Sequence, residues 1–207
     1  KTSLLMAAQG AIPALGRVTL LPQGATPSEL APESLIRQLA MVPQNATDLL
    51  VLTSISDELQ ASDTQSSLPS GTTGGLFAKL AGRLDPNRHP RDLSAGQQLA
   101  LVLAIQLSKG ARVLFLDEPT RGLDYQSKRE LCNQLDSLKR AGTAILIASN
   151  DVEFVALVAD RVAIVEAGEI SRPVPVAEAL SGLGRHAPQL FQITQRAIRM
   201  QQIEVGS

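Results

Sequence analysis

The stretch Val113-Leu114-Phe115-Leu116-Asp117-Glu118-Pro119 decides the fold, because an apolar strand in it runs directly into two carboxylates. A second apolar strand is predicted at 144–148, and residues 127–140 between them have helical spacing. Continuous apolar strands joined by helices are typical of a parallel sheet buried on both faces. We therefore predict an α/β fold with both carboxylates at the carboxyl-terminal edge of the sheet, where such folds bind ligands.

The two carboxylates suit different tasks. Asp117 suits a Mg²⁺ ion held largely through water, since hard cations prefer oxygen ligands. Glu118 is placed to orient or deprotonate a water molecule that attacks a γ-phosphate. The bland alternative is that the pair only caps the following turn, and the pair by itself leaves both interpretations open.

Upstream, Leu93-Ser94-Ala95-Gly96-Gln97 leads into a predicted helix over 97–108. In one interpretation Ser94 and Gln97 form a capping box, with Ser94 as the N-cap. The same geometry presents backbone N–H groups and a positive helix end, which suit a phosphate. Both interpretations stay open from this motif alone.

Together these segments resemble the ATP-binding cassette (ABC) ATPases. Residues 93–97 resemble the family's signature motif, 113–118 its Walker B strand, Arg121-Gly122-Leu123-Asp124 its D-loop and Pro43-Gln44 its Q-loop. Lys1-Thr2-Ser3 resembles the end of the Walker A motif, so the chain is expected to begin inside its phosphate-binding loop. The resemblance implies a P-loop NTPase fold, with a RecA-like, mostly parallel sheet and an inserted helical subdomain.

The resemblance also implies that the chain binds ATP and Mg²⁺ and hydrolyses ATP. Glu118 and Gln44 would act in catalysis, and Thr2, Gln44 and Asp117 would hold the Mg²⁺ ion. Lys1 would contact the β- and γ-phosphates. The residues expected to contact ATP are Lys1, Thr2, Ser3, Ser94, Ala95, Gly96, Gln97 and Asp124.

Part of this set would serve a nucleotide held mainly by another domain. Ser94 and Gly96 would touch the γ-phosphate bound by the partner, and Asp124 would cross the dimer interface. The implied partners are therefore a second ABC ATPase domain, in a homodimer, a heterodimer or the same polypeptide, and transmembrane transporter subunits.

One departure from the family's pattern concerns the residue after the strand at 144–148. The family has a histidine before an Asp there, whereas this chain reads Ser149-Asn150-Asp151. Asn150 can donate one neutral hydrogen bond towards a γ-phosphate, but it cannot carry a positive charge. We count Asn150 as a catalytic candidate and expect ATP binding to survive this change better than turnover. Ala95, in place of the commoner glycine, is a milder departure.

The expected organisation is a RecA-like core over 1–44 and 102–172, a helical subdomain over 45–101 and a tail over 173–207. A Ser/Thr/Gly-rich link at 62–75 is expected to be a mobile loop. The remaining predicted elements are helices at 2–8, 35–39, 54–60, 76–84 and 152–159, two weak helices after Pro173, strands at 17–21 and 40–43, and a hairpin of 162–165 and 169–171.

Composition narrows the class of protein. The net charge of −1 gives no general attraction to nucleic acid, and no such partner is expected. No apolar run approaches the roughly 18 residues that cross a bilayer, so we expect a cytoplasmic protein that reaches the inner face of the membrane through partner subunits. Cys132, the single cysteine, suits a reducing compartment.

Within the family, the segments 117–124 and 151–156 most resemble energy-coupling-factor ATPases, which drive uptake of vitamins or of cobalt and nickel ions. Two alternatives stay open. One is a regulatory cassette that binds ATP with little hydrolysis, which Asn150 favours and Glu118 disfavours. The other is a soluble ABC ATPase that acts on nucleic acid or ribosomes, for which the sequence shows neither basic patches nor long coiled-coil insertions.

Overall fold

The computed structural model describes residues 1–20 and 24–182. The chain divides into two units, residues 1–149 and residues 150–207. The first unit holds the helices α1 (Thr2–Gln9), α2 (Pro32–Ile36), α3 (Ile55–Gln65), α4 (Thr72–Ala81), α5 (Ala95–Ser108) and α6 (Tyr125–Arg140), the strands β1 (Leu39–Val42), β2 (Val113–Asp117) and β3 (Ala144–Ala148), and 3-10 turns at Pro27–Glu29, Ala46–Leu49 and Pro90–Asp92.

The three strands form one parallel sheet in the order β1-β2-β3. Val42 pairs with Leu116 and Asp117 pairs with Ala148, so the three strands end at one edge. The central strand β2 is almost wholly buried, while β3 is partly exposed. The predicted parallel sheet is therefore confirmed, and its central strand carries the two carboxylates.

Apolar packing on the sheet fixes the start of α1. Leu5 of α1, Leu20, Leu39 and Phe115 form one buried cluster. Burial of a Leu or Phe side chain stabilises a fold by about 1.5–3 kcal/mol, so this cluster holds α1 firmly against the sheet. The N-cap Lys1 and the first helical residue Thr2 are thereby positioned relative to β2.

A second cluster lies in the chain between β1 and β2. Its buried members are contributed by α3, α4, α5 and the residue before the α5 cap, namely Ile55, Phe77, Leu93, Ala100, Leu101 and Ala104. α5 also packs against β1. This long helix therefore joins the helical cluster to the sheet.

The predicted mobile loop at 62–75 is wrong for most of its length, because α3 continues to Gln65 and α4 begins at Thr72. The cause is Asp63, whose carboxylate accepts hydrogen bonds from the Gly71 N–H (2.7 Å), the Thr73 N–H (2.9 Å) and the Thr73 hydroxyl (2.6 Å). Asp63 and Thr73 are both buried. A buried carboxylate with several donors caps α4 from the neighbouring helix, which the local composition did not indicate.

Two other predicted elements also differ from the structure. The strand at 17–21 is reduced to an isolated bridge between Leu20 and Ala25, with Leu21 outside the described residues. Residues 17–19 are exposed, and no strand among the described residues pairs with them. The helix predicted at 35–39 lies earlier, at Pro32–Ile36, because Pro32 suits the first helical position.

The second unit, described from 150 to 182, contains α7 (Val152–Val158), β4 (Arg161–Val162), β5 (Val165–Glu166), β6 (Glu169–Ile170), β7 (Val174–Pro175) and α8 (Val176–Gly182). The predicted hairpin of 162–165 with 169–171 is confirmed for β5 and β6, although each strand has two residues. Its first part is wrong, because Val162 lies in β4 and pairs with Val174 of β7. Ala167 and Gly168 both have positive φ, 49° and 85°, as a tight hairpin turn requires. Of the two weak helices predicted after Pro173, α8 is the part within the described residues; 183–207 lie outside them.

Asp63→Ala is expected to destabilise the α3–α4 junction by about 2–4 kcal/mol, because it removes a cap and leaves buried Thr73 donors without their acceptor. Asp57→Ala, at an exposed site on the same helix, serves as the control and is expected to cost less than about 1 kcal/mol. Amide hydrogen exchange of residues 62–75 measures the local opening free energy. Equal protection in both variants contradicts the assignment of the cap.

The same junction is expected to weaken in acid. Burial by itself raises the pKa of Asp63, but the hydrogen bonds from Thr73, Gly71 and Thr72 outweigh it and hold the pKa below its usual 3.8. A lowered folded-state pKa means that the stabilisation is present above pH 3.8 and is lost as the pH falls through the folded value. Protection in this segment should therefore fall at low pH in the wild type but not in Asp63→Ala.

Candidate functional site

The start of α1 and the end of β2 meet at the edge of the sheet. The Thr2 hydroxyl donates a hydrogen bond of 2.6 Å to Oδ2 of Asp117. Lys1 Nζ lies 3.6 Å from Oε1 of Glu118 and donates to the carbonyl oxygen of Ser149 at 2.9 Å. The structure thus brings the pair Lys1 and Thr2 together with the pair Asp117 and Glu118, although the two pairs are far apart in the chain.

The amino-terminal end of α1 adds backbone N–H groups to this site. Lys1 is the N-cap of the helix and its side chain makes no capping bond. The first amides of a helix have no intrahelical acceptor, and they carry the positive end of its dipole. Thr2 and Ser3, the exposed first residues of α1, therefore offer N–H donors suited to a phosphate.

Asp117 has the surroundings of a cation ligand. The residue is 2% exposed, and its Oδ1 atom has no hydrogen-bond partner among the described residues. A buried carboxylate oxygen without a partner is costly, and a bound cation would satisfy it. The Thr2 hydroxyl and the Asp117 carboxylate are hard oxygen donors, so the residues present fit Mg²⁺.

The described part of the chain contains no cluster of three His, Cys, Asp or Glu side chains that could hold a metal. A cation at Asp117 would therefore draw on the hydroxyl of Thr2, on water and on substrate oxygens. That ligand set is typical of Mg²⁺, which usually keeps several waters and binds through one or two carboxylates.

Glu118 has an unusual backbone. Its φ of 46° is in the left-handed region, which costs a non-glycine residue about 1 kcal/mol or more. The Glu118 N–H donates to the carbonyl of Ala148 at 2.7 Å, so the chain leaves the strand while still anchored to β3. Such strain clusters at functional sites, and here it turns the glutamate out of the line of the strand.

The sheet register places Gln44 at the same edge. Gln44 is exposed and lies two residues beyond Val42, whose partner Leu116 is two residues before Glu118. Adjacent parallel strands therefore bring the Gln44 and Glu118 positions to one level of the sheet. Its oxygen can serve a cation and its amide group can serve a water molecule.

A second group of residues forms at the start of α5. The Ser94 hydroxyl accepts from the Gln97 N–H at 3.2 Å, and Gln97 Oε1 accepts from the Ser94 N–H at 3.1 Å. The capping-box interpretation is therefore confirmed. The box occupies the amides of Ser94 and Gln97, whereas those of Ala95 and Gly96 have no intrahelical acceptor and suit an anion.

Asp124 is the N-cap of α6. Its Oδ1 accepts from the Ser127 N–H at 2.7 Å. The backbone and then the hydroxyl of Ser127 lower the pKa of Asp124, and slight burial opposes them. Asp124 is exposed, so its carboxylate is both fixed in direction and open to a partner.

Sequence reasoning missed two participants. The backbone carbonyl of Ser149 accepts a hydrogen bond from Lys1. Side-chain patterns do not indicate a backbone contact of this kind. The available signal was the position of Ser149 directly after β3. Ser127 contacts Asp124 and lies beside Gly96, and its signal was the third helical position after an Asp N-cap.

Asn150 belongs to the second unit, and its predicted catalytic role stays a prediction. Within that unit it is exposed and precedes Asp151, the N-cap of α7. Oδ1 of Asp151 accepts from the Phe154 N–H at 3.0 Å. The aspartate therefore has a helix-capping task in this structure.

Residues 1–121 match the family model described as ABC transporter. An ABC transporter ATP-binding protein of Streptomyces avermitilis is 40% identical over 193 residues, or 93% of this chain and 34% of that protein. A nickel import ATP-binding protein of Rhodobacter capsulatus is 31% identical over 87% of this chain and 76% of its own length. A ribose import ATP-binding protein of Bacillus subtilis is 31% identical over 71% of this chain and 32% of its own length.

The fold is also that of a solved structure described as the ATP-binding subunit of an ABC transporter. The TM-score is 0.72 at 17% identity, with 95% of this chain and 82% of that chain covered. This likeness confirms the predicted α/β fold with a parallel sheet. The chain spans about a third of the length of the Streptomyces relatives that it matches.

Asp117→Asn is expected to separate stability from ligand binding. In EDTA its thermal midpoint should equal or exceed that of the wild type, because a buried carboxylate oxygen without a partner is replaced by a neutral group. Mg²⁺ with ATP should raise the midpoint of the wild type and scarcely that of the variant, since the ion's ligand is lost.

The matched control is Asp136→Asn, which removes a partly exposed carboxylate paired with Arg140 on α6. It should respond to Mg²⁺ and ATP as the wild type does. A large drop of the Asp117→Asn midpoint in EDTA would instead mean that this carboxylate has a structural task.

Proposed function

The chain belongs to the ABC transporter ATP-binding family, and on this premise we propose that it is the ATP-binding and ATP-hydrolysing cassette of a transporter. Members of the family bind ATP with Mg²⁺. The observation that carries the proposal is the meeting of Lys1, Thr2, Asp117 and Glu118 at one edge of the sheet.

Lys1 and the first turn of α1 bind the phosphates in this proposal. The ammonium group lies within 3.6 Å of Glu118 and donates to the Ser149 carbonyl, so it is already directed to the edge where the strands end. A lysine supplies a point charge for the β- and γ-phosphates, and the α1 amides supply directed hydrogen bonds.

Thr2 and Asp117 would hold Mg²⁺, with Gln44 from the adjacent strand. The ion neutralises phosphate charge and fixes the phosphate oxygens when it is bound. Asp117 is suited to this because its second oxygen is buried and lacks a hydrogen-bond partner in the described part of the chain. Thr2 adds a hydroxyl already 2.6 Å from the other oxygen.

Glu118 would accept a proton from the attacking water or orient it. The carboxylate follows the cation ligand directly, and the positive φ of its backbone directs it away from the strand. Lys1 Nζ lies 3.6 Å from this carboxylate, at the same edge of the sheet. In this proposal Asp117 binds the ion and the adjacent Glu118 accepts the proton.

We assign Ser94, Ala95, Gly96, Gln97 and Asp124 to the ATP bound by a second cassette. The N–H groups of Ala95 and Gly96 are the donors that the capping box does not use. Asp124 is exposed, and its carboxylate accepts from Ser127, which lies next to Gly96. Contacts that complete another domain's site imply a dimer of cassettes, with the helical segment 45–101 as the inserted subdomain that meets transmembrane subunits.

The transported substrate is proposed to be a metal ion or a vitamin, taken up by an energy-coupling-factor type of transporter. The segments 117–124 and 151–156 support this assignment, as does the nickel import relative, which is matched over 76% of its length. The ribose import relative, matched over 32% of its length, is the competing precedent. The described residues contain no helix that could cross a membrane; membrane attachment through partner subunits is part of this proposal.

A cassette with weak hydrolysis is the second candidate. The observation that favours it is Asn150 in place of the family's histidine. An amide donates a neutral hydrogen bond and supplies no charge as the γ-phosphate leaves. The two candidates differ in turnover and not in ATP binding.

Glu118→Gln is expected to lower single-turnover ATP hydrolysis by about 10²–10⁴-fold, the usual worth of a general base. ATP should still bind, because Lys1 and Thr2 are untouched, and a long-lived ATP-bound dimer should accumulate. Glu130→Gln, an exposed change on α6, is the control and should match the wild type. If Glu118→Gln hydrolyses at the wild-type rate, Glu118 is not the base.

Asn150→His is expected to raise the hydrolysis rate with little change in ATP affinity, because the added contact acts mainly as charge develops in the transition state. The measurement is single-turnover hydrolysis by the wild type, each single variant and the double variant with Glu118→Gln. A rate unchanged by Asn150→His means that Asn150 does not limit turnover. Absence of hydrolysis in all four favours the regulatory cassette.

A further inference from the structure

The first turns of α5 and α6 approach each other at Gly96 and Ser127. A Cβ atom built on Gly96 would lie 3.0 Å from Oγ and 3.1 Å from Cβ of Ser127. Gly96 is an ordinary helical residue without a positive φ, so its backbone conformation does not require glycine. The close approach of Ser127 instead leaves little room for a side chain at this position.

The same serine holds Asp124. Its N–H donates to Oδ1 of Asp124 at 2.7 Å. This bond and the nearby Ser127 hydroxyl hold the pKa of Asp124 below its ordinary value. One small residue thus contacts the backbone of the α5 start on one side and the carboxylate of the α6 cap on the other.

We propose that Ser127 is a positioning residue that sets the spacing between Gly96 and Asp124, and so couples two elements that serve one partner-bound ATP. This rests on the proposed function, which assigns both elements to that nucleotide. The coupling is steric on the Gly96 side and hydrogen-bonded on the Asp124 side. A shift of the α5 start therefore moves Ser127 and, through it, the direction of the Asp124 carboxylate.

The contact restricts both positions. Alanine at 127 keeps the Cβ that faces Gly96 and lacks the hydroxyl, whereas glycine removes both. At position 96 even one methyl group must displace Ser127 by a few tenths of an ångström. The glycine of this motif consequently has a reason within its own chain, separate from any approach of phosphate to the helix.

A double-mutant cycle tests the proposal in the full-length protein, with Gly96→Ala, Ser127→Gly and their combination. Gly96→Ala is expected to lower kcat for ATP about tenfold or more, with KM changed less than about twofold, since misplacement of one group acts on the reacting geometry. Ser127→Gly keeps the backbone N–H bond to Asp124 but loses the hydroxyl beside that carboxylate, so it should lower kcat a few-fold. The combination should recover to within about threefold of Ser127→Gly alone, because the added methyl then has room.

Two controls separate this coupling from simpler effects. Ser127→Ala removes Oγ but keeps the 3.1 Å Cβ contact, so it should rescue Gly96→Ala only in part. Ser137→Gly, at an exposed serine further along α6, weakens the same helix without touching Gly96 and should give no rescue. Thermal midpoints of all variants without nucleotide exclude unfolding as the cause.

The outcomes distinguish this proposal from the proposed function. If the wild type hydrolyses ATP and the combination is as slow as Gly96→Ala, the methyl group blocks the phosphate itself and the positioning role is wrong. If Gly96→Ala matches the wild type, the coupling does not exist. If the wild type does not hydrolyse ATP, the proposed function fails, and amide exchange at 124–128 then tests the coupling alone. The coupling requires faster exchange in Gly96→Ala than in the wild type. It also requires that the double variant exchange at the same rate as Ser127→Gly alone.

Discussion

The parallel pairing of β2 with a strand on each side is the constraint on which the rest of the molecule depends. This pairing buries β2 almost completely, and the polar side chains of the segment begin at its carboxyl end. Asp117 and Glu118 occupy that end. The strand neighbours bring Gln44 and Ser149 to the same edge, and the apolar cluster around Leu5 brings α1 to it. The packing that forms the fold therefore also brings the residues of the site together.

Elements with a strong local pattern could be predicted from the sequence. The strand at 144–148 was predicted to the residue, and α5 and α6 within two residues of their bounds. The link at 62–75 could not be, because its structure comes from a carboxylate on the preceding helix that caps α4 across a turn. The strand expected at 17–21 is reduced to the bridge of Leu20 with Ala25, and no strand in the described part of the chain pairs with it.

The site divides in the same way. The carboxylates were predictable because they end an apolar strand, and the capping box because its residues are three positions apart. The contact of Thr2 with Asp117 joins distant parts of the chain, so only the resemblance to a family indicated it. A contact made through the backbone, such as that of the Ser149 carbonyl with Lys1, has no signal in residue types.

The helical cluster between β1 and β2 has a consequence for how the chain folds. Leu39 and Val113 pair directly, yet the whole cluster lies between them in the chain. Closing so long a loop costs entropy before any strand pairing compensates for it, which slows folding. A cluster with its own buried apolar residues can form early and shorten the effective loop. Substitutions at Phe77 or Leu101, which belong to this cluster and not to a strand, would then act on the rate at which the sheet assembles.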